Sequence, residues 1–325
     1  MSALRFELTA PDLSAWRSGN TGIEGLWHFD SGRPGRHLLI SALIHGNELC
    51  GAWALKELLE SGLKPQAGQL TLMWANLQAF DRFDPERHDA SRFVEQDMNR
   101  QWTDERLAQA NTVERRRAAV IAPWVARADW MLDLHSMHEP GPPLMLTGLH
   151  ARNRVLAEQM GSPAHIVIDA GHQDGVRMRD YGPFGLSDEY AGDRRSLLIE
   201  CGFHGDPASL RVARDACFRF LKSSAVVDEP TLKALLPDWS QAGVREPLIL
   251  EVTQAVVARS EGFRFSQPWS GLTCVETAGT VIGDNDGQPV CTPYDRCVLV
   301  MPSVRQARAG VTVVRFARLL SKAAD

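Results

Sequence analysis

The sequence predicts an α/β fold followed by a small all-β region. Short apolar runs near residues 38–44, 69–75, 130–136 and 196–202 have the length and composition of buried strands. Segments with apolar residues at helical spacing lie between and after these runs, and this alternation is typical of α/β proteins. Past about residue 237 the pattern changes to short runs rich in Val, Ile and Thr, separated by turn residues.

The length of the chain allows two domains. Its 325 residues are enough for a large hydrophobic core. The change in pattern predicts a boundary after residue 237, so that residues 1–237 form the α/β domain and residues 238–325 form the small all-β domain.

Composition and charge exclude several classes of protein. Hydrophobic residues make up 44% of the chain and charged residues 23%, which is ordinary for a soluble globular protein. The net charge of -5 provides no basic surface for nucleic acid, and no apolar run reaches the ~18 residues of a membrane helix. Six scattered cysteines without a CxxC pair, and a first segment without an apolar signal region, predict a cytoplasmic protein. The sequence leaves homo-oligomer formation open.

The first buried run leads into a turn that carries candidate metal ligands. Residues 38–44 are followed by His45-Gly46-Asn47-Glu48 and then by a helical pattern that ends near Gly62. Asn47 is the predicted N-cap, and Gly46 lets the backbone approach the site closely. An imidazole and a carboxylate three positions apart can supply two of the three ligands of a His₂Glu zinc site. A solvated His beside a first-turn Glu would give the same short pattern.

Two later strands end in further candidates. The run at 130–136 contains Asp133 and His135, which leave the same face of a strand because they are two residues apart. A carboxylate beside a metal-binding His orients its ring, although the same pair is also compatible with a core histidine. The run at 196–202 contains Glu200 near its end, and ligands of open α/β sheets bind at the carboxyl ends of strands. A solvent-exposed carboxylate is the alternative for Glu200.

The remaining segments of the first domain are predicted as follows. Residues 80–102 form a long charged loop, and loops of this length in a compact domain are usually functional or disordered. Residues 104–127 form one helix, with Pro123 able to bend it or end it early. A short strand near 25–29, further strands at 144–148 and 165–169, and helices at 151–160 and 207–227 complete the predicted elements.

Read together, these motifs resemble the succinylglutamate desuccinylase/aspartoacylase family, a branch of the zinc carboxypeptidase superfamily. Four motifs carry the resemblance. They are the HGNE turn at 45–48, the motif in which Arg92-Phe93 is followed, after three further residues, by Asp97-Met98-Asn99-Arg100, the LDLHS strand at 132–136 and the IECG strand at 199–202. The resemblance implies a mixed sheet flanked by helices, and the small β domain at the C-terminus fits it as well.

The resemblance also implies a role for each matched residue. His45, Glu48 and His135 would bind one Zn²⁺ per chain, and Glu200 would be the general base that activates water and later protonates the leaving amine. Asn99 and Arg100 would bind a free carboxylate of the substrate, because a guanidinium matches a carboxylate with two hydrogen bonds. The implied activity is zinc-dependent amide hydrolysis that removes an acyl group from a small N-acylated amino acid.

The chain departs from the family in three places, one of which is the segment Glu200-Cys201-Gly202-Phe203-His204, which differs after the Glu from both enzymes that give the family its name. An Arg that polarises the scissile carbonyl in aspartoacylases is expected in the segment that here reads Asn76-Leu77-Gln78-Ala79, so that Gln78 takes its place. A second substrate-binding Arg is unmatched before Glu200, and four arginines are candidates for it: Arg177, Arg179, Arg194 and Arg195. The acyl group and the amine therefore stay open.

Two other functions are compatible with the same residues. A zinc carboxypeptidase or amidase that cleaves short peptides would use the same ligands and the same general base. A metal-binding scaffold without turnover is the non-enzymatic alternative, and the presence of Glu200 argues against it.

Overall fold

A mixed sheet of eleven strands dominates residues 5–171, 174–240 and 246–320, which are the residues that this computed structural model describes. The order of strands across the sheet is β1-β3-β2-β4-β7-β5-β6-β8-β14-β13-β10. A second sheet has the order β12-β11-β9. The strands are β1 (Leu26–Asp30), β2 (His37–Ala42), β3 (Gln69–Trp74), β4 (Trp130–Met137), β5 (Leu144–Leu146), β6 (His165–Ile168), β7 (Arg195–Phe203), β8 (Leu248–Val257), β9 (Arg264–Phe265), β10 (Thr273–Val275), β11 (Val281–Asp284), β12 (Pro289–Cys291), β13 (Cys297–Val300) and β14 (Thr312–Leu320).

Helices flank the N-terminal part of the main sheet. They are α1 (Leu49–Glu60), α2 (Leu77–Phe80), α3 (Asp104–Gln109), α4 (Val113–Arg127), α5 (Ala151–Met160), α6 (Ala208–Ser224) and α7 (Glu229–Leu235), with short 3₁₀ turns at Pro85–Ser91, Met98–Arg100, Met178–Asp180 and Gly182–Gly185. The predicted α/β fold with a mixed, helix-flanked sheet is confirmed. Among the described helices, none has the length and apolar character needed to span a bilayer.

The central strands are buried on both faces, as their apolar runs predicted. All six residues of β2 are buried. Leu38 and Ile40 pack with α1 and α6 on one face, whereas Leu39 packs with Ile121 and Val125 of α4 on the other. Side chains alternate between the faces of a strand, so a strand covered by helices on both sides must be apolar throughout.

Parallel pairing brings the strand ends of the candidate site together. β2 pairs in parallel with β3 and β4, and β4 pairs in parallel with β7. The carboxyl ends of β2, β4 and β7 therefore lie at one edge of the sheet. His135 of β4 stands directly opposite Glu200 of β7 in the register of this pair.

Two local predictions were wrong. The helix predicted over 104–127 is divided, because Ala110 adopts a left-handed conformation (φ 41°) and ends α3, after which Thr112 caps α4. Pro123 stays inside α4. Asn47 is not the N-cap of α1, because the helix begins one residue later with Glu48 at the N-cap position and no side-chain cap.

The C-terminal strands extend the main sheet. β8 pairs in parallel with β6, and β14, β13 and β10 follow it in antiparallel order. The separate sheet of β9, β11 and β12 packs against them around a core that includes Phe263, Ile282 and Phe316. The hydrogen bonds between β6 and β8 thus join the two predicted domains. The domain boundary after residue 237 stays a prediction.

Candidate metal centre and catalytic cleft

The turn after β2 has a backbone that only a few residues could form. Leu43 has a left-handed conformation (φ 58°), which is costly for a bulky residue. A side chain at position 46 would overlap the backbone at Ala79 and Ser91, so only glycine fits there. This close packing buries His45 and Glu48, which are 3% and 1% exposed.

Three buried side chains converge at the edge of the sheet. His45 Nδ1 lies 2.7 Å from Glu48 Oε1, and His135 Nδ1 lies 2.9 Å from Glu48 Oε2. One ligand atom from each residue lies within 4.8 Å of those of the other two. The structure therefore brings together the three residues that the sequence singled out as metal ligands.

A carboxylate holds the far nitrogen of each imidazole. Asp97 Oδ1 lies 3.0 Å from His45 Nε2, and Asp133 Oδ2 lies 2.9 Å from His135 Nε2. Each ring therefore holds Nε2 against a carboxylate and turns Nδ1 toward Glu48, so that Nδ1 is the ring atom placed to bind a metal ion. Two imidazole nitrogens and one carboxylate, oriented in this way, form the donor set of a His₂Glu zinc centre.

The charges of this cluster depend on one another. Burial by itself raises the pKa of Glu48, but His45 and His135 outweigh it, so the pKa of Glu48 lies well below its usual value. Burial lowers the pKa of His135, yet Asp133 and Glu48 raise it well above the usual value. The pKa of Asp97 is likewise low in spite of burial, because His45 and two arginines lie beside it. Glu48 is therefore ionised and available as an anionic ligand.

Glu200 lies in the same cleft as these ligands. It is 7% exposed, and its Oε2 has no hydrogen-bond partner within the described residues. Burial raises the pKa of Glu200 to about 7, and the negative charge of Glu48 contributes in the same direction. A carboxyl group with a pKa near 7 can both accept and donate a proton at neutral pH.

Arg92 enters the cleft, whereas Gln78 does not. Gln78 is exposed on α2 and does not line the cleft. Arg92 is 8% exposed, with Nη1 3.5 Å from Glu48 Oε1 and Nη2 3.2 Å from Asp97 Oδ2. Gln78, the position compared with the family's carbonyl-polarising Arg, therefore does not identify a residue of the cleft. Arg92 does lie in the cleft, and it belongs to a motif that the sequence had singled out.

Asn99 and Arg100 line the cleft as well. Asn99 Oδ1 accepts a hydrogen bond from the backbone N–H of Met178, which leaves its amide group to donate. Arg100 donates from Nε to Asp174 at 3.1 Å, and its Nη2 lies 3.9 Å from Asp97. Arg100 is thus a partly buried residue of the cleft whose guanidinium lies between Asp174 and Asp97.

Of the four arginines that the sequence could not rank, Arg177 lines the cleft. Arg177 is 3% exposed and donates from Nη2 to Asp169 at 2.9 Å, while its Nη1 has no hydrogen-bond partner in the part of the chain that is described. Arg179, Arg194 and Arg195 pair with carboxylates outside the cleft. No local sequence pattern distinguishes Arg177 from the other three arginines, because it reaches the cleft only through the folding of the 3₁₀ turns before β7.

His138 was missed by the sequence analysis. It follows β4, lines the cleft and contacts Asp89 at 3.2 Å through Nδ1, while its Nε2 lies 3.3 Å from Arg92 Nη1. The signal that could have found it is its position three residues after His135 at the same strand end.

One edge of the mixed α/β sheet thus holds a buried His–Glu–His cluster that could bind a metal ion and, beside it, a carboxylate with one unpaired oxygen. Residues 34–171 match the sequence model of the succinylglutamate desuccinylase/aspartoacylase catalytic domain. The resemblance seen in the sequence is therefore confirmed over this segment, and the matched family is one of deacylating hydrolases. The matched range includes the three candidate ligands and ends before Glu200. Among curated protein sequences, no relative matches the chain.

Solved structures share the fold at low sequence identity. A succinylglutamate desuccinylase from Vibrio cholerae superimposes with a TM-score of 0.67 at 17% identity, covering 91% of this chain and 86% of that chain. A succinylglutamate desuccinylase/aspartoacylase from Rhodobacter sphaeroides gives 0.61 at 19%, covering 89% and 87%. An ectoine utilization protein from Ruegeria pomeroyi, solved with its product bound, gives 0.62 at 16%, covering 96% and 92%. These comparisons establish the architecture of the chain.

Proposed function

We propose that the protein is a zinc-dependent amidohydrolase that removes an acyl group from a small N-acylated amino acid with a free carboxylate. The observation that carries the proposal is the orientation of His45 and His135, whose Nδ1 atoms both face Glu48 while carboxylates hold their Nε2 atoms. Metal-binding histidines usually donate the N–H of the other ring nitrogen to a carboxylate, and both rings have such a partner here.

The residues present fit one zinc ion. His45, Glu48 and His135 would hold it, and Asp97 and Asp133 would keep the two rings oriented. When bound, Zn²⁺ polarises the amide carbonyl and lowers the pKa of water toward ~7.

Glu200 performs the proton transfers in this proposal. Its carboxylate accepts a proton from the attacking water as the oxygen adds to the carbonyl carbon. The same proton then passes to the amine nitrogen as the C–N bond breaks. A pKa of about 7 suits both steps, because the base form and the acid form are both populated near neutral pH.

The arginines of the cleft would stabilise the developing charge and bind the substrate carboxylate. Arg92 is the guanidinium nearest to Glu48, so it would stabilise negative charge that develops on the carbonyl oxygen. Asn99 and Arg100 would bind the free carboxylate, and Arg177 would add the unpaired Nη1 donor that lies in the same cleft. Binding at these donors would fix the amide relative to the metal ligands and Glu200.

Turnover of defined substrates tests the proposal. Zinc-loaded protein should hydrolyse N-acyl amino acids faster than dipeptides or peptides with a free C-terminus. Preference for peptides would favour the carboxypeptidase alternative, and no turnover of either class would favour a metal-binding scaffold.

Replacement of Glu200 separates chemistry from metal binding. Glu200→Gln keeps the size and removes the base, so kcat should fall by about 10²–10⁴-fold while zinc content stays unchanged. Glu251→Gln, an exposed carboxylate on β8, is the matched control and should leave kcat as it is. Turnover within a few fold of wild type in Glu200→Gln would remove Glu200 from the mechanism.

A further inference from the structure

Two nitrogens of the Arg92 guanidinium are held by neighbouring side chains. Nη2 lies 3.2 Å from Asp97 Oδ2, and Nη1 lies 3.3 Å from His138 Nε2. Nη1 carries two hydrogens, and its other neighbour is Glu48 Oε1 at 3.5 Å. Because a guanidinium is planar, contacts at two of its nitrogens fix the orientation of the whole group. His138 and Asp97 therefore determine how Arg92 faces the candidate metal ligands.

The neighbours of His138 determine which of its ring nitrogens carries the proton. A guanidinium has only donors, so His138 Nε2 accepts a hydrogen bond from Arg92 and the ring proton lies on Nδ1. Asp89 Oδ1 lies 3.2 Å from Nδ1 and accepts the hydrogen bond of that proton. Burial lowers the pKa of His138 in spite of Asp89, and the charge of Arg92 acts in the same direction. The imidazole is therefore neutral and presents the lone pair of Nε2 to Arg92.

A second imidazole keeps the ring of His138 in place. His204 is completely buried, its Nε2 lies 3.3 Å from His138 Nδ1, and the two ring centroids are 4.8 Å apart. On its other side, His204 Nδ1 lies 2.7 Å from Ser136 Oγ. Donation therefore runs in one direction, from Arg92 to His138 and from His138 to Asp89 and His204. A rotation of the His138 ring would break its contacts with all three neighbours.

A neutral acceptor suits an arginine that must keep its positive charge. A carboxylate at position 138 would hold Arg92 as firmly, but it would also compensate the charge of the guanidinium. Asp97 already divides its negative charge between Arg92 and His45. An imidazole adds a contact without adding negative charge, so the positive charge of Arg92 stays available to stabilise an oxyanion.

We infer that His138 is a positioning residue, whose neutral imidazole aims Arg92 at the carbonyl oxygen of the substrate; this inference rests on the proposed function. No bond is made or broken at His138, because both of its ring nitrogens are engaged in hydrogen bonds. Glu200 keeps the proton transfers. The competing reading is that His138 only fastens the charged loop to the end of β4 through Asp89.

Two amide variants separate these readings. The amide of Gln reaches the place of Nε2 and offers Arg92 an acceptor oxygen, whereas the shorter Asn reaches only the place of Nδ1 and keeps the contact with Asp89. With zinc-loaded protein and an N-acyl amino acid, His138→Asn should lower kcat by about 10–100-fold and leave KM and zinc content unchanged. His138→Gln should stay within a few fold of wild type. The reverse order, or an equal loss in both variants, would overturn the inference.

A double variant shows whether His138 acts through Arg92. In an Arg92→Ala background, His138→Asn should cause no further loss of kcat, since the group that it positions is gone. Losses that multiply would mean that the two residues act independently and would contradict the inference. His150→Asn is the matched control, because His150 lies outside the cleft at the N-cap of α5, and it should keep the kcat of wild type.

A spectroscopic measurement distinguishes failure of the inference from failure of the proposed function. Imidazole ¹H–¹⁵N spectra of the zinc-loaded protein, with the His138 signals identified by their loss in His138→Gln, should show the proton on Nδ1. The Nε2 signal should shift in Arg92→Ala. This result without turnover of any N-acyl amino acid by wild type would reject the deacylase proposal and sustain the orientation of Arg92 by His138. A proton on Nε2 would overturn the inference whatever the kinetics show.

Discussion

Individual residues of the cleft act through partners that are distant in sequence. Asp97 orients His45 from the end of the long charged loop, while Asp133 orients His135 from the same strand. The loop that seemed irregular in the sequence therefore supplies a partner to the candidate metal centre. Its last motif also supplies Asn99 and Arg100, so a single 3₁₀ turn connects the candidate ligands to the candidate carboxylate site.

The proposed requirement for a substrate carboxylate can be tested at Arg100. A charge-assisted hydrogen bond contributes roughly 1.5–3 kcal/mol, which corresponds to about 10–100-fold in kcat/KM. Wild type should therefore prefer a free acid over the matching carboxamide by at least about tenfold, and Arg100→Ala should lose most of that preference. Arg194→Ala, which changes an arginine outside the cleft, should discriminate as wild type does. Equal discrimination in wild type and Arg100→Ala would leave the carboxylate to Arg177.

The stability of the protein should depend on the protonation of His37. This residue is buried at the start of β2, where its Nε2 contacts the Thr71 hydroxyl and its ring faces His28, Arg127 and Asp129. Burial, with positive charge nearby, lowers the pKa of His37 to about 4. The unfolded chain takes up the proton near pH 6.5, so stability is complete above that pH and falls as the pH drops toward 4.

A variant at His37 measures this dependence. The difference in pKa corresponds to about 3 kcal/mol of unfolding free energy lost between pH 6.5 and 4. Denaturant unfolding at several pH values should show a shallower loss for His37→Gln, which cannot be protonated. Parallel curves for the two proteins would show that other groups cause the acid sensitivity.

At the scale of elements, the sequence allowed the central strands and their polar ends to be predicted. Predominantly apolar runs are typical of strands buried on both faces, and their ends carried His45, His135 and Glu200. The break at Ala110 could not be predicted, because alanine favours helix and only the tertiary structure holds it left-handed. Arg177 could not be selected either, since its place in the cleft depends on packing rather than on a local pattern.

The C-cap of helix α6 is a position where a substitution should stabilise the protein. Ala225 occupies its C-cap in a left-handed conformation (φ 59°) and is exposed. Glycine adopts this conformation without steric cost, so Ala225→Gly should raise the unfolding free energy by about 0.5–1 kcal/mol. Ala119→Gly, inside α4, is the matched control and should lower it by a similar amount. Destabilisation by both changes would mean that the cap is not strained.

At the scale of the whole molecule, the C-terminal strands complete both the sheet and the cleft. β8 continues the main sheet beside β6, and residues 271–272 and 301–312 bring part of the lining to a cleft whose ligands come from residues 45–135. Arg305 connects the two parts through Glu139 at 2.9 Å. The shape of the cleft therefore depends on residues from both the N-terminal and the C-terminal parts of the chain.

Metal binding should stabilise this whole structure. His45 and Glu48 lie after β2 and His135 lies on β4, so one bound ion joins two adjacent central strands. A ligand present at about 100 times its Kd adds roughly 2.7 kcal/mol to the unfolding free energy. Removal of zinc by a chelator should then lower Tm by about 5 °C or more, and added zinc should restore it.

Variants at the centre assign that change in Tm to the proposed ligands. His135→Ala should be insensitive to both chelator and zinc, since a site with two protein ligands binds the ion weakly. Asp133→Asn keeps all three ligands but no longer orients His135 with a charged partner, so it should require about 10–100-fold more zinc to reach the same Tm. A full response to zinc in His135→Ala would place the ion elsewhere in the protein, and the chemistry assigned to Glu200 would have to move with it.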